Sequence, residues 1–373
     1  MNILLVRNEF IRKNNYTADY LQLSQALKKL GHKVILIGIN NKNKFDNDLV
    51  LLKIPFRKRR FFMMELSFFL PMYCILKKID VVIVSSGIIL GTLLLIALRK
   101  ILSIKIILDI RSIPVEEKFQ WDYKYGCRIA QKWYNGATFI STGTKDFIEK
   151  SFHLKYKKYA IFTSAVNPFL FSPIHIDNIS NEIKQKVKKK IVIFYHGSIS
   201  PNRGINLILD AVNEIKNTFP NILFLSISER NDYIDDYCKI NNYSMANNLL
   251  LLNAIKHEQM AAYINLADIC IVPLPRIFWW EISSPLKLME YLAMEKPIIL
   301  SNISAHQLVV PQNSKFALYF NPDNPTDLGN KILEAINKLD ELKGNAYKGR
   351  EIVLHKYTWD IQAKIVENFI SEL

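Results

Sequence analysis

The sequence predicts an α/β protein of two doubly wound, Rossmann-like domains facing a cleft. Three observations carry that expectation. The chain has 373 residues, too many for one ordinary core and enough for two. Short apolar runs alternate with stretches of helical spacing, the pattern of parallel strands covered on both faces. The alternation stops at a polar stretch and then restarts.

In the first half, residues 2–6 read as a buried strand. Ala18 to Leu30 has the spacing of a helix, and Gly31 stops it. A strand over 33–37 and a less regular stretch follow. Residues 81–98 contain no charge, near the lower limit for a membrane span. Ser85-Ser86-Gly87 divides them into a β-branched piece and a Leu-rich piece, so the expectation is a buried strand, a turn and a helix. Strands over 105–108, 137–140 and 159–162 continue the alternation, with Asp109 at the end of the first of these. The polar stretch from Asn167 through the lysines at 188–190 reads as the inter-domain linker. Beyond it come strands over 191–195, 221–226, 249–252, 268–272, 297–300 and 316–320, and two closing helices over 325–339 and 359–370. The domains are placed at 1–168 and 169–356. Ligands of such sheets bind at the carboxyl ends of the strands.

Half of the residues are hydrophobic and 22% are charged, which supplies a large core and excludes disorder across the chain. The lean towards Lys, Asn and Ile reads as codon bias. A net charge of +15 favours anionic partners: nucleic acid, anionic lipid or a phosphorylated small molecule. No zinc finger, RNP motif or basic zipper is present, so nucleic acid is not expected. Cys74, Cys127, Cys238 and Cys270 form no C-x-x-C pair, and buried thiols in a reducing compartment are expected. The first apolar run is too short for a signal peptide and is broken at once by Arg7. The expected location is cytoplasmic, peripheral on the inner face of the cell membrane. The reason for the second half of that statement is Arg57-Lys58-Arg59-Arg60, followed by Phe61-Phe62-Met63-Met64 and Phe68-Phe69-Leu70. Cations beside a cluster of rings suit an anionic lipid surface, and 57–70 is the expected contact. The plain alternative is a buried helix behind a basic turn.

Two segments of the second half carry chemistry. Tyr195-His196-Gly197-Ser198-Ile199-Ser200-Pro201-Asn202-Arg203-Gly204 leaves a strand and enters a helix. Small residues let the backbone approach a phosphate, helix amides favour an anion, and Arg203 adds a permanently charged fork. The second segment runs from Ser283-Ser284-Pro285-Leu286-Lys287 to Glu290-Tyr291. Ser284 is expected to cap a helix with Pro285 in its first position. Lys287 and Glu290 then share one face, the lysine for an anion and the carboxylate for a sugar diol. The plain alternative is a surface Lys–Glu pair.

Together these segments resemble glycosyltransferase family 4 and its retaining GT-B relatives. Gly197, Arg203 and Gly204 match the family's Gly-x-x-x-x-x-Arg/Lys-Gly donor-phosphate loop. The second segment looks like its Ser-Pro-x-Lys-Leu-x-Glu-Tyr variant. The resemblance implies a GT-B fold and a nucleotide-sugar donor, a UDP-sugar, with no cofactor and no metal. Glu290 would hold the ribose, Arg203 and Lys287 the diphosphate, and Gly197, Ser198, Ser283 and Ser284 would approach the phosphate or sugar. Asp109, in Leu108-Asp109-Ile110-Arg111, would orient the acceptor. The set implied as catalytic is therefore Arg203, Lys287 and Asp109. Thr163 to Asn167 stands where the family has a Pro-Asn-Gly-Val-Asp turn, Phe320 to Asp323 also fits, and the last helix, 357–373, would pack back on the first domain.

The sequence departs from the family at three places. Ile282 occupies the position of the family's first Glu, with Glu281 off by one; Ser198 stands where a basic residue is common; and the first domain lacks its Gly-Gly loop and its histidine. The implied reaction is retaining sugar transfer to a membrane-linked glycan or lipid in cell-surface polysaccharide synthesis. The departures motivate one alternative, a non-catalytic scaffold that binds a nucleotide-sugar or a partner protein at the membrane. Asp46-Asn47-Asp48 spells an Asp-x-Asp metal motif but lies in a polar loop, and no G-x-G-x-x-G follows the first strand, which disfavours a dinucleotide oxidoreductase.

Overall fold

The computed structural model describes residues 1–10, 18–40, 44–45, 48–53, 59–114, 117–174, 179–229 and 231–373. The chain divides into two compact units, Met1–Ser164 with Trp359–Leu373, and Ala165–Thr358.

Unit 1 is built on eight strands: β1 (Asn2–Phe10), β2 (Lys33–Asn40), β3 (Lys44–Phe45), β4 (Leu49–Lys53), β5 (Val81–Ser85), β6 (Lys105–Ile110), β7 (Gly136–Phe139) and β8 (Tyr159–Ile161). Their order is β3-β4-β2-β1-β5-β6-β7-β8. All neighbours are parallel except β3 and β4 at the edge. β5 shows why the strands read as continuous apolar runs: all five of its residues are buried, since helices cover both faces. After β5 the chain forms a 3-10 stretch, Ser86–Thr92, and the short Leu93–Leu98 helix, and among the described residues no helix is long and apolar enough to cross a membrane.

The irregular stretch of the sequence contains β4 and the Arg59–Lys77 helix, neither of which alternates cleanly. That helix is apolar on two sides. Phe62, Leu66, Leu70 and Cys74 enter the core, while Phe61, Met64, Phe68, Met72 and Ile75 are exposed. Arg57 and Lys58 lie outside the described residues, as do Asp46 and Asn47; Asp48 pairs with Lys28 at 2.8 Å. All four cysteines are free and buried.

The Trp359–Glu372 helix belongs to unit 1. His32 Nε2 stands 2.9 Å from Glu367 Oε1, Gln362 Oε1 accepts from the Thr163 amide at 2.8 Å, and Lys105 Nζ donates to the Ile370 carbonyl at 3.0 Å. Gly136 permits this packing, because a Cβ there would lie 2.6 Å from the Phe369 ring.

Unit 2 holds β9 (Ile191–His196), β10 (Ile222–Ser228), β11 (Leu249–Asn253), β12 (Ile269–Val272), β13 (Ile298–Ser301) and β14 (Ala317–Phe320). The order is β11-β10-β9-β12-β13-β14 and every pair is parallel. This is the doubly wound arrangement 3-2-1-4-5-6, whose crevice opens where the order reverses, between β9 and β12. Along β9, Val192 and Phe194 join the core on one face, and Ile193 and Tyr195 the core on the other. The described residues of the polar stretch at 167–190 belong to unit 2. The units part at Ser164 and Ala165, Asn167 Oδ1 accepts from the amides of Phe169 and Leu170, and Asn181–Val187 is a helix of unit 2. Four helices, not two, close the chain: Pro325–Asn337, Leu339–Asn345, Tyr347–Lys356 and Trp359–Glu372. The two between have little apolar periodicity, which hid them.

If the Trp359–Glu372 helix completes the core of unit 1, Ile370→Ala should cost about 2–5 kcal/mol by leaving a cavity. The unit 1 transition in urea, followed by circular dichroism, should move to lower denaturant. A transition that does not move would refute this packing.

Candidate functional site

The segments singled out in the sequence meet at the switch point of unit 2. The 197–204 loop leaves the carboxyl end of β9, and the connection from Pro273 to Pro285 leaves that of β12. Gly204 joins them. It has φ +74°, and a Cβ on it would lie 1.8 Å from the Pro273 carbonyl oxygen, so only glycine allows the approach. Gly197 also has positive φ, +113°, and its α-carbon faces Lys287, whose Nζ would lie 3.5 Å from a Cβ there.

The helix carrying Lys287 and Glu290 is Leu286–Ala293. The expected cap is not formed. Pro285 takes the capping position in extended conformation and makes no side-chain cap bond. Ser283 lies just before it, with its hydroxyl donating to the Trp280 carbonyl at 3.0 Å, and Ser284 follows. Nor are Lys287 and Glu290 a surface pair. The Lys287 amine is buried with no hydrogen-bond partner among the described residues. It stands 3.8 Å from the centre of the Tyr195 ring, a cation–π contact, while the Tyr195 hydroxyl donates to the Ser198 carbonyl at 2.8 Å. Burial and then the nearby Arg203 push its pKa well down, with Glu290 opposing.

Glu290 is 1% exposed and is met by two histidines. His257 Nε2 donates to Oε1 at 2.7 Å, and its ring packs on Phe171. His196 Nε2 stands 2.9 Å from Oε2, close enough for an ion pair but out of hydrogen-bond alignment. Burial raises the carboxyl, but the charge and bonding of His196 and His257 outweigh it and hold Glu290 at about 2. For His257, burial lowers the pKa and the carboxylate more than reverses it, so the imidazolium is favoured. For His196 burial outweighs the pull of the carboxylate and lowers the pKa. Of the two rings, His257 is the one whose protonation the carboxylate favours. Tyr291 holds His196 from behind, its hydroxyl accepting from the His196 amide at 3.2 Å.

Two further residues, His306 and Trp280, escaped the sequence reading, and Glu281 has a task that it did not foresee. His306, fully buried, donates from Nδ1 to the Ser301 carbonyl at 2.8 Å, which leaves Nε2 an unprotonated acceptor without a partner among the described residues; burial brings its pKa down to about 4. Glu281 Oε2 accepts from the Ser304 amide at 2.6 Å and Oε1 lies 3.7 Å from Arg276 Nε, so its carboxylate is engaged at another helix start. Trp280 donates from Nε1 to the Asn202 carbonyl at 2.7 Å and places its ring 5.1 Å from the Arg203 guanidinium. The Phe278-Trp279-Trp280 run was the available signal.

Asp109 lies in unit 1 as the last residue but one of β6. It is fully buried; Oδ1 accepts from Thr138 Oγ1 at 2.8 Å, and Oδ2 has no partner among the described residues. Burial raises the carboxyl to about 6, against the pull of Arg111, Arg7 and Thr138.

This geometry agrees with what the chain resembles. Residues 190–338 match a family described as Glycosyl transferases group 1. The matched residues lie within unit 2. An uncharacterized glycosyltransferase of Methanocaldococcus jannaschii is 23% identical over 217 residues, 52% of this chain and 57% of that protein, little more than half its length. A glycosyltransferase from Rickettsia africae superposes with a TM-score of 0.76 at 16% identity, covering 99% of this chain and 98% of that one. HepE of Anabaena in complex with UDP gives 0.77 at 11% identity over the whole of both chains. The shared fold is GT-B, two Rossmann-like α/β domains on parallel sheets.

The His257–Glu290 pair has a pH signature. The stability that His257 adds is fully present below the ordinary 6.5 of an imidazole and is lost as pH rises through its raised value. The gap in urea midpoint between wild type and His257→Gln should be widest near pH 6 and narrow towards pH 9. A gap that widens with pH would exclude the cationic assignment.

Proposed function

We propose that the chain is a retaining, metal-independent glycosyltransferase that moves a sugar from a UDP-sugar to a membrane-linked glycan or lipid acceptor in cell-surface polysaccharide synthesis. The observation that carries this reading is the unpartnered Lys287 amine, set beside Arg203 and against the 197–204 loop, with the ionised Glu290 one turn further along its helix. Two cations and a helix start suit a diphosphate, and a carboxylate beyond them suits a ribose diol. The UDP bound to HepE supports the choice of base.

In this reading Glu290 accepts hydrogen bonds from the ribose hydroxyls. Gly197, Ser198, Ser283 and Ser284 bring backbone close to the phosphates and sugar. The bond between the anomeric carbon and the diphosphate oxygen breaks, and Arg203, Lys287 and the helix amides stabilise the charge that develops on that oxygen. The acceptor hydroxyl attacks the anomeric carbon on the same face and gives its proton to the departing diphosphate. Asp109 orients the acceptor in unit 1. Glu281, tied to Ser304, takes no part in sugar binding.

The membrane contact is assigned to the outward face of the Arg59–Lys77 helix. Its exposed apolar residues recur at three- and four-residue steps, Phe68 being 70% exposed, and Leu90 and Leu93 are exposed on the segment packed against it. Lys77 and Lys78 follow at its carboxyl end, and the chain is strongly basic. An anionic bilayer satisfies both the apolar stripe and the charge.

Two measurements test the reading. Isothermal titration of UDP and GDP without added metal should give micromolar binding of UDP, weakened at least about tenfold by Glu290→Ala and by Lys287→Met. Well-folded protein that binds neither nucleotide would overturn the donor site; nucleotide binding without transfer to any lipid-linked acceptor would favour the scaffold reading. In co-sedimentation, vesicles containing phosphatidylglycerol should retain the protein, and Phe68→Asp with Met72→Asp should release most of it. Equal retention of both forms would remove the membrane face from the proposal.

A further inference from the structure

We infer that Trp280 is a positioning residue, which aims the Arg203 guanidinium at the diphosphate of the donor. The inference rests on the donor-site reading above and adds a residue to it.

Arg203 and Lys287 share an unusual surrounding for cations in a partly buried site. Neither is held by a carboxylate. Lys287 lies against the Tyr195 ring and Arg203 against the Trp280 ring, at 3.8 Å and 5.1 Å from the ring centres. Among the described residues, the Arg203 guanidinium makes no ion pair and no hydrogen bond to protein. A carboxylate would fix an arginine by consuming its donors and neutralising its charge. An aromatic face fixes it through the ring quadrupole and leaves the edge N–H groups and the charge for a ligand.

Trp280 also fixes the backbone just before Arg203. Its indole N–H bonds the Asn202 carbonyl at 2.7 Å, one residue before the arginine. Its own carbonyl accepts from the Ser283 amide at 3.3 Å and the Ser283 hydroxyl at 3.0 Å. The close approach of Gly204 to Pro273 is the second anchor of the loop, one residue after the arginine. Arg203 is thus held at the preceding residue, the following residue and the side chain, and two of the three holds are made by Trp280.

A positioning role predicts coupling between Trp280 and Arg203, which a general structural role does not. UDP binding is measured by titration for wild type, Trp280→Phe, Trp280→Leu, Arg203→Ala and the Trp280→Leu/Arg203→Ala double variant. Trp280→Leu removes the ring face and the N–H, and should weaken UDP by roughly three- to thirty-fold. Trp280→Phe keeps a ring face and should weaken it by less. With Arg203→Ala already in place, Trp280→Leu should add less than about a twofold loss. The urea midpoint of Trp280→Phe keeps the series interpretable if the leucine variant folds poorly. The inference is overturned if Trp280→Leu costs the same with and without Arg203, or if Trp280 variants bind as wild type while Arg203→Ala does not. Wild type that binds no UDP overturns the donor reading and this inference together.

Discussion

Taking a lysine amine out of water costs several kcal/mol, and in unit 2 no hydrogen bond of the described protein offsets that cost for Lys287. The rest of the site follows from tolerating it. Gly197 supplies the positive φ that brings the loop past the amine, and Tyr195 presents the ring that the amine touches. Such a group is not retained for stability. A well-packed apolar residue in its place would be at least as stable, so its presence marks a position shaped for something other than folding.

The treatment of opposite charges in the same pocket sharpens the point. Glu290 is buried to a similar degree, yet both of its oxygens face imidazoles, and its charge is secured over the whole neutral range. The negative group is stabilised by protein and the positive groups are left to aromatic faces. A pocket arranged in this way is electrostatically incomplete in one sense only: among the described residues no carboxylate pairs with Lys287 or Arg203, whereas Glu290 has its imidazoles. The position of the incompleteness, at the point where the sheet order reverses, is where doubly wound folds place their ligands.

Much of this was legible in the sequence, for reasons that differ by element. The strands of both sheets were visible because two-sided burial demands unbroken apolar runs, as in Val81–Ser85. Gly204 and Lys287 were visible because glycine and charge are conspicuous beside a strand end. What stayed hidden was what depends on three-dimensional partners. His257 is 33 residues from Glu290 along the chain, and an isolated histidine before a helix carries no sign of its carboxylate. Ser284 has the composition of a cap, but Pro285 occupies the capping position, so local preference gave the wrong residue. The Arg59–Lys77 helix was obscured because it is apolar outside as well as inside, which erases the periodicity that identifies a surface helix. Glu281 looked like a displaced site carboxylate until the Ser304 amide gave it another task.

The return of the Trp359–Glu372 helix to unit 1 bears on how the molecule comes into being. Domains are generally completed in the order in which a ribosome delivers them. Here the residues that close the core of the earlier unit are synthesised after all of the later one. Unit 2 has every one of its strands available while unit 1 still exposes the apolar surface that Val366 and Ile370 will cover. The nascent chain therefore carries an unfinished first half through the synthesis of its second. Shielding that surface is a task for a chaperone or for speed of elongation, and a codon change late in the message would act on the folding of the opposite end of the protein.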